Sequence, residues 1–321
     1  MNKLNENLKI VFMGTPDFAK ASLQALVEAG MNVIACVTNP DSKAGRGMKL
    51  RMSPVKEYAL SQEIPVFQPE KIRGNNEIIE QIKSLEPDVI AVVAYGKILP
   101  KEILEIPRLG AINVHGSLLP DYRGSAPMQW AIINGEEKTG ITTMYMDEGM
   151  DTGDMLLTEE VAITDQDNFE TIHDKMKDIG AKLLVTTIQQ IGEGTIARIP
   201  QPEECRKEAP MITKEMTKID FNKTAKEISC FVRGLTPIPG TYIELDNGVK
   251  YKIYRIEAVE DLNIDASIQN GSILLLAKDK LYIRCEDGYI KILEIQPAGS
   301  KRMDITAFFA GNRISMANKC V

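Results

Sequence analysis

The chain is poor in the residues that hold metals or close disulfides. Its five cysteines (Cys36, Cys205, Cys230, Cys285 and Cys320) are scattered without a C-x-x-C pair, and its only histidines are His115 and His173. No disulfide framework and no zinc site is expected, and this cysteine usage fits a reducing cytoplasm. No apolar run approaches the roughly 20 residues needed to cross a bilayer. Residues 1–9 are polar and lead straight into a strand, so no signal peptide is expected. The G-x-G-x-x-G fingerprint is also missing. Gly14-Thr15-Pro16-Asp17-Phe18 supplies a glycine turn after the first strand, but Pro16 removes a backbone donor that a pyrophosphate would use. A nicotinamide cofactor is therefore not expected, and the segment reads better as a helix start.

The composition is that of an ordinary globular chain: 44% hydrophobic and 26% charged over 321 residues, enough for about two domains. The net charge of −7 is unevenly spread. Residues 1–209 carry 22 Lys and Arg against 31 Asp and Glu, whereas residues 210–321 carry 16 against 14. Within the acidic part, residues 41–56 hold Lys43, Arg46, Lys49, Arg51 and Lys56 against Asp41 alone. A basic loop on an acidic domain, joined to a mildly basic second domain, points to a polyanionic partner. On composition alone, a merely solvated surface is the better explanation.

Apolar runs at residues 8–13, 32–37, 89–94 and 111–114 alternate with helical patterns at 17–30 and 75–85. That alternation predicts a parallel α/β sheet covered on both faces. A helix at 127–134, strands at 141–145 and 155–161, and a long amphipathic helix over 168–191 with Leu183, Leu184 and Ile188 on its apolar side continue the pattern. It stops at 196–209, where Pro200, Pro202 and a charged cluster read as a linker. After a helix at 224–233, five short strands separated by turns such as Asp246-Asn247-Gly248 predict a small barrel. The expected architecture is α/β, a Rossmann-like, mostly parallel sheet domain over 1–195, followed by a linker at 196–209 and an OB-like β-barrel over 210–321.

Four segments are candidates for chemistry. Gly14–Phe18, as above, is better explained by structure. Asn113 and His115 are an i, i+2 pair, so on a strand they face the same way. A carboxamide and an imidazole side by side can polarise a carbonyl and manage a proton. An isolated histidine is more often buried and satisfied by backbone, but Gly116, Pro120, Gly124 and Pro127 put His115 at the carboxyl end of a parallel strand, where open α/β sheets bind ligands. His173 lies in a polar stretch and is expected to be an exposed helix residue. Met146–Asp154 holds four acids and two glycines between strands. It does not fit EF-hand spacing; a solvated turn competes with a carboxylate that orients His115. Ala44-Gly45-Arg46-Gly47-Met48-Lys49-Leu50 is a basic glycine loop that could order on an RNA backbone, or a tolerated surface loop.

Together these segments resemble the formyltransferase family that uses 10-formyltetrahydrofolate. Phe12–Phe18 is similar to the family's opening strand and turn, residues 39–56 to its tRNA-engaging loop, Asn113–Pro127 to its signature, and Asp147–Gly153 to the segment with the catalytic Asp. Arg233–Gly240 and Gln296–Met303 resemble its C-terminal domain, with Ile238 departing from the Trp that members often carry there. The resemblance implies catalysis by Asn113, His115 and Asp151. It implies a folate site along Ser117, Leu118, Leu119 and Pro120, reaching Ala94, Tyr95 and Gly96 and the turn of Tyr145, Met146 and Asp147. It further implies formyl transfer to the amino group of methionyl-initiator tRNA in translation initiation, with Lys43, Arg46, Lys49, Arg51, Lys301 and Arg302 against the tRNA. No metal is called for.

The nearest rival is a formyltransferase for a small amine, glycinamide ribonucleotide or an amino-sugar nucleotide, which has no use for the basic loop or the barrel. A hydrolase or dehydrogenase of formyltetrahydrofolate is another, and the latter needs a large further domain. A non-catalytic tRNA-binding protein would not require Asn113, His115 and Asp151. A cytoplasmic monomer that engages neither DNA nor membrane is expected.

Overall fold

A computed structural model describes residues 8–44, 49–259, 262, 267–277, 280–311, 314 and 316–321. In chain order, β1 (Ile10–Gly14) is followed by α1 (Asp17–Glu28), β2 (Val33–Val37), the short pair β3 (Ser42–Ala44) and β4 (Lys49–Arg51), α2 (Pro54–Ser61), β5 (Val66–Phe67), α3 (Asn76–Ser84), β6 (Val89–Val93) and α4 (Lys101–Leu104). Then come β7 (Ala111–His115), β8 (Arg123–Gly124), α5 (Pro127–Ile133), β9 (Lys138–Tyr145), β10 (Met155–Ala162), α6 (Phe169–Glu193) and β11 (Glu208–Ala209). The remainder holds α7 (Ala225–Leu235), β12 (Thr241–Glu244), β13 (Lys250–Val259), β14 (Ile273–Ala277), β15 (Lys280–Arg284), β16 (Tyr289–Pro297), β17 (Met303–Asp304) and α8 (Ile305–Gly311).

The chain divides into two compact units. One holds the described part of Met1–Gly124, with Thr139–Ala162 and His173–Ala209; the other holds Ser125–Lys138, Ile163–Ile172 and the described part of Pro210–Val321. The first unit is built on a sheet of order β10-β9-β7-β6-β1-β2-β5. β1 pairs in parallel with β2 and β6, β6 with β7, and β2 with β5, whereas β7 and β9 are antiparallel. β1 and β6 are buried at every position, as a strand covered on both faces requires. That is why their apolar runs are continuous rather than alternating. Residues 196–209, read as a linker from their prolines and charges, count with this unit: Ile199 bridges Met155, and β11 pairs in parallel with β8.

His173 is not exposed as expected. Its side chain is 20% exposed, its ring packs 5.5 Å from that of Phe18, and Nε2 lies 3.8 Å from the Asp17 carboxylate. The face of α6 that carries it is turned toward the start of α1.

The second unit has an antiparallel sheet of order β12-β13-β16-β15-β14, with β17 on β16. Its edges are joined by residues 319–321. Cys320 bridges Leu245 beside β12, and Lys319 bridges Ser272 beside β14. The arrangement is thus barrel-like, around a core that includes Ile253, Leu281, Ile283, Ile292, Ile295 and Phe308. α7 opens with a capping box between Thr224 and Glu227 and packs on β13 and on α5. Ile238 is 71% exposed, so its departure from Trp does not bear on core packing.

Candidate active site

The chain reverses direction across the sheet between β1 and β6. From β1 it winds outward through β2 and β5, then returns to β6 on the other side. Such a reversal opens a crevice beyond the carboxyl ends of the strands. Gly14 and Val93 are partners at that edge, Val92 pairs with Asn113, and His115 ends β7. The sheet therefore brings the β1 turn, Ala94-Tyr95-Gly96 and the Asn113/His115 pair to one edge.

His115 is buried, and its imidazole lies between two oxygens. Nε2 is 2.9 Å from the Tyr122 carbonyl oxygen, which can only accept, so Nε2 carries hydrogen and donates. Nδ1 is 3.6 Å from Asp151 Oδ1. This is an ion-pair separation but too long for a hydrogen bond. Asp151 itself is held: its Oδ2 accepts the Gly124 N–H at 2.9 Å. Its φ of +56° lies in the left-handed region that non-glycine residues rarely occupy. The Asn113 side chain is half-buried and has no hydrogen-bond partner among the described residues.

The loop after His115 is fixed by buried polar contacts. Ser117 Oγ donates to the Asp121 carbonyl at 2.7 Å; Thr142 Oγ1 donates to the Ser117 carbonyl at 2.7 Å and accepts the Leu119 N–H at 3.1 Å. Leu119 is buried, while Leu118 and Pro120 are half-buried. Across the crevice, the Tyr95 carbonyl accepts Asn39 Nδ2 at 3.1 Å and Thr15 Oγ1 at 3.5 Å. Burial pushes the Tyr95 hydroxyl up to about 12, so it moves no proton near neutral pH. Ala94 and Gly96 both have positive φ. Burial also raises the Tyr145 hydroxyl, opposed by Arg198, whose guanidinium lies 4.3 Å over the ring. Asp147 Oδ1 accepts the Gly149 N–H and the Thr152 hydroxyl, so it shapes the turn rather than pointing free into solvent. Met146 is partly buried against the sheet core.

One residue joined to this site, Gln201, has no signal in the sequence reading, and its partner Arg123 lies in the signature stretch. Gln201 donates to the carbonyls of Asp151 and Gly153 and accepts from Arg123. They are 78 positions apart, and only β8 pairing with β11 brings them together, so no local pattern could have revealed the pair.

Within the basic segment 39–56, β3 and β4 pair antiparallel, in register Ser42↔Arg51. Arg46 and the side chains of Lys43 and Lys49 lie outside the described residues; Arg51 is exposed. Lys56 is 2.7 Å from Asp41, whose carboxyl is held below its ordinary range by that lysine and by Gln68. A cavity of about 400 Å³ opens here, lined by Thr15, Pro16, Asn39, Arg51, Met52 and Ser53 among others. In the other unit Lys301 is exposed. Arg302 is paired with Glu294 and stacked 4.7 Å from the Tyr254 ring.

Comparison with known proteins accounts for both units. A family model described as Formyl transferase matches residues 8–188, and one described as Formyl transferase, C-terminal domain, matches 211–313. A methionyl-tRNA formyltransferase of Caldanaerobacter subterraneus subsp. tengcongensis is 49% identical over 307 residues, 96% of this chain and 98% of its own. One from Clostridioides difficile is 48% identical, again over 96% of this chain and 98% of its own. Among solved structures, an N-formyltransferase of Helicobacter canadensis complexed with folinic acid and dTDP-3-aminofucose superposes with a TM-score of 0.62 at 19% identity, covering 92% of this chain and 100% of its own. A sugar 3N-formyl transferase solved with dTDP and 5-N-formyl-THF gives 0.64 at 19% identity, over 92% of this chain and 99% of its own. At that identity these two structures bear on the fold, while the family models and the relatives near half identity lead to the conclusion that this chain belongs to the formyl transferase family.

Proposed function

We propose that this chain transfers the formyl group of 10-formyltetrahydrofolate to the α-amino group of methionyl-initiator tRNA, giving N-formylmethionyl-tRNA for translation initiation. The observation that carries this reading is the Asn113–His115–Asp151 constellation at the carboxyl end of β7. The relatives named for the same acceptor select the tRNA over a small amine. The amine lone pair attacks the formyl carbon, the new C–N bond forms, and the carbonyl oxygen becomes an oxyanion. The unpartnered Asn113 carboxamide donates to that oxyanion, and a protonated His115 donates too. Collapse breaks the bond to the folate nitrogen, and the proton lost by the attacking amine passes by way of His115 to that nitrogen. Asp151 fixes the imidazole and balances its charge. Removing one donor of this kind costs about 10²–10³ in rate.

The folate lies along Ser117–Pro120 and reaches Ala94–Gly96 and Tyr145–Asp147. The tRNA acceptor end is gripped by Lys43, Arg46, Lys49 and Arg51, with the cavity beside Arg51 giving it room. In the barrel Lys301 contacts phosphate. Arg302 joins it by breaking its pair with Glu294, or else presents the Tyr254 stack. The barrel over 210–321 is the tRNA-binding part.

The test is formyl transfer from 10-formyltetrahydrofolate with methionyl-initiator tRNA, glycinamide ribonucleotide, an amino-sugar nucleotide and water as competing acceptors. Transfer to the charged tRNA, weakening as salt rises, is expected; transfer only to a small amine would refute the tRNA assignment. His115→Ala is expected to abolish turnover while tRNA affinity stays near its original value. Loss of binding in that variant would show that His115 serves the acceptor rather than the reaction.

A further inference from the structure

The carboxamide of Gln201 uses all of its hydrogen-bonding capacity. Its Oε1 accepts Arg123 Nε at 3.1 Å and Nη2 at 2.8 Å, and its Nε2 donates to the carbonyls of Asp151 at 3.0 Å and Gly153 at 2.7 Å. A primary amide has two hydrogens and two lone pairs to give. The guanidinium also fixes which way round the amide sits, because a flipped amide would turn NH2 against NH.

What the amide holds is conformationally costly. Asp151 has φ +56°, in the left-handed region that residues with a side chain rarely occupy and that surrounding groups must hold. Two groups do so from opposite sides. The Gly124 N–H takes the carboxylate at 2.9 Å, and Gln201 takes the carbonyl. Gly124 directly follows Arg123, so residues 123–124, Gln201 and Asp151 form a closed ring of contacts. Arg123 is itself tied to the Pro202 carbonyl at 2.9 Å and the Glu203 carbonyl at 3.4 Å. The Tyr122 N–H donates to Lys207 in the same strap, and the Tyr122 carbonyl is the one that accepts His115 Nε2. The segment 201–209 therefore holds the backbone of both residues whose oxygens flank the imidazole.

We infer that Gln201, with Arg123 behind it, is a positioning residue that sets the Asp151 carboxylate against His115. This deepens the proposed function and rests on the roles given there to Asp151 and His115. Gln201→Glu is the informative substitution, because it keeps a partner for Arg123 and the side-chain shape while removing both donors to the 151–153 carbonyls.

The experiment measures kcat and KM for formyl transfer in Gln201→Glu, Gln201→Ala, Asp151→Asn and the double variant Gln201→Glu/Asp151→Asn, with thermal unfolding of each. A displaced catalytic group costs up to about 100-fold, so kcat in Gln201→Glu is expected to fall about 10- to 100-fold, with both KM values and the unfolding midpoint little changed. In the double variant, Gln201→Glu is expected to add almost nothing to the loss caused by Asp151→Asn, as residues acting as a unit do. A wild-type kcat in Gln201→Glu, or losses that multiply in the double variant, would overturn the inference and leave the proposed function standing. Loss of the fold in both Gln201 variants would overturn it too, by making the residue structural. A wild-type kcat in Asp151→Asn would instead overturn the role proposed for Asp151, on which the inference depends.

Discussion

At Gly124 the backbone φ is +126° and a Cβ would lie 2.4 Å from the Ala209 carbonyl oxygen, so any side chain must push β8 away from β11. The N–H of this residue is the one that holds Asp151. Gly124→Ala is therefore expected to destabilise the chain by about 1–3 kcal/mol in urea unfolding and to lower kcat more than it raises either KM. A variant with unchanged kcat would separate the backbone contact from the chemistry. Asn113 and His115 were legible in the sequence because i, i+2 spacing on a strand needs no tertiary information. Asp151 was legible only through the resemblance, since an acid in an acid-rich turn has no local signature. Gln201 was not legible at all: proline and charge around it read as linker, and its partner lies 78 positions away. Arg302 entered as a candidate tRNA contact through the resemblance, and in the structure the Glu294 carboxylate pairs with it.

Among the elements, the antiparallel pair β3–β4 is flanked by a polar cluster of Asp41, Lys56 and Gln68. Lys56 donates to both Asp41 oxygens, at 2.9 and 2.7 Å, and Gln68 donates to one of them at 2.8 Å. Asp41 titrates below its ordinary value, chiefly through Lys56. A carboxyl with a lowered folded pKa contributes stability that is complete above its unfolded value, about 3.9, and is lost as pH falls through the lower folded value. The stability gap between the wild type and Asp41→Asn is therefore expected to be constant from neutral pH down to about pH 4 and to shrink below it, as read by urea unfolding across that range. A gap that closed near neutrality would mean another group carries the effect. The continuous apolar runs of β1 and β6 made the parallel sheet readable. The strands β3 and β4 are three residues each, too short for a period to show. The closure of the barrel by residues 319–321 was equally hidden, because isolated bridges far along the chain carry no periodicity.

For the molecule as a whole, the two units are not consecutive in the chain. Ser125–Lys138 and Ile163–Ile172 count with the barrel rather than with the sheet that surrounds them in sequence. α5 packs on α7, and the approach is close: a Cβ on Gly234 would lie 2.7 Å from Ile133 Cγ1 and 3.0 Å from the Gln129 carbonyl. A chain ending at residue 209 is expected to expose the α5 face that α7 covers, to bind a hydrophobic dye, and to aggregate in conditions where the full chain stays monodisperse. A well-behaved 1–209 fragment would show that α5 finds cover elsewhere. Domain boundaries at a sequence break, such as the proline cluster at 200–202, describe composition and not this packing.

The same interlocking bears on inheritance. A recombination event at the 209/210 junction would deliver a barrel whose α7 meets an α5 from a different parent, and Gly234 leaves no slack for a mismatched neighbour. A chimaera that carries 125–138 along with the barrel keeps α5 and α7 from one parent and is expected to fold where a plain 209/210 crossover does not.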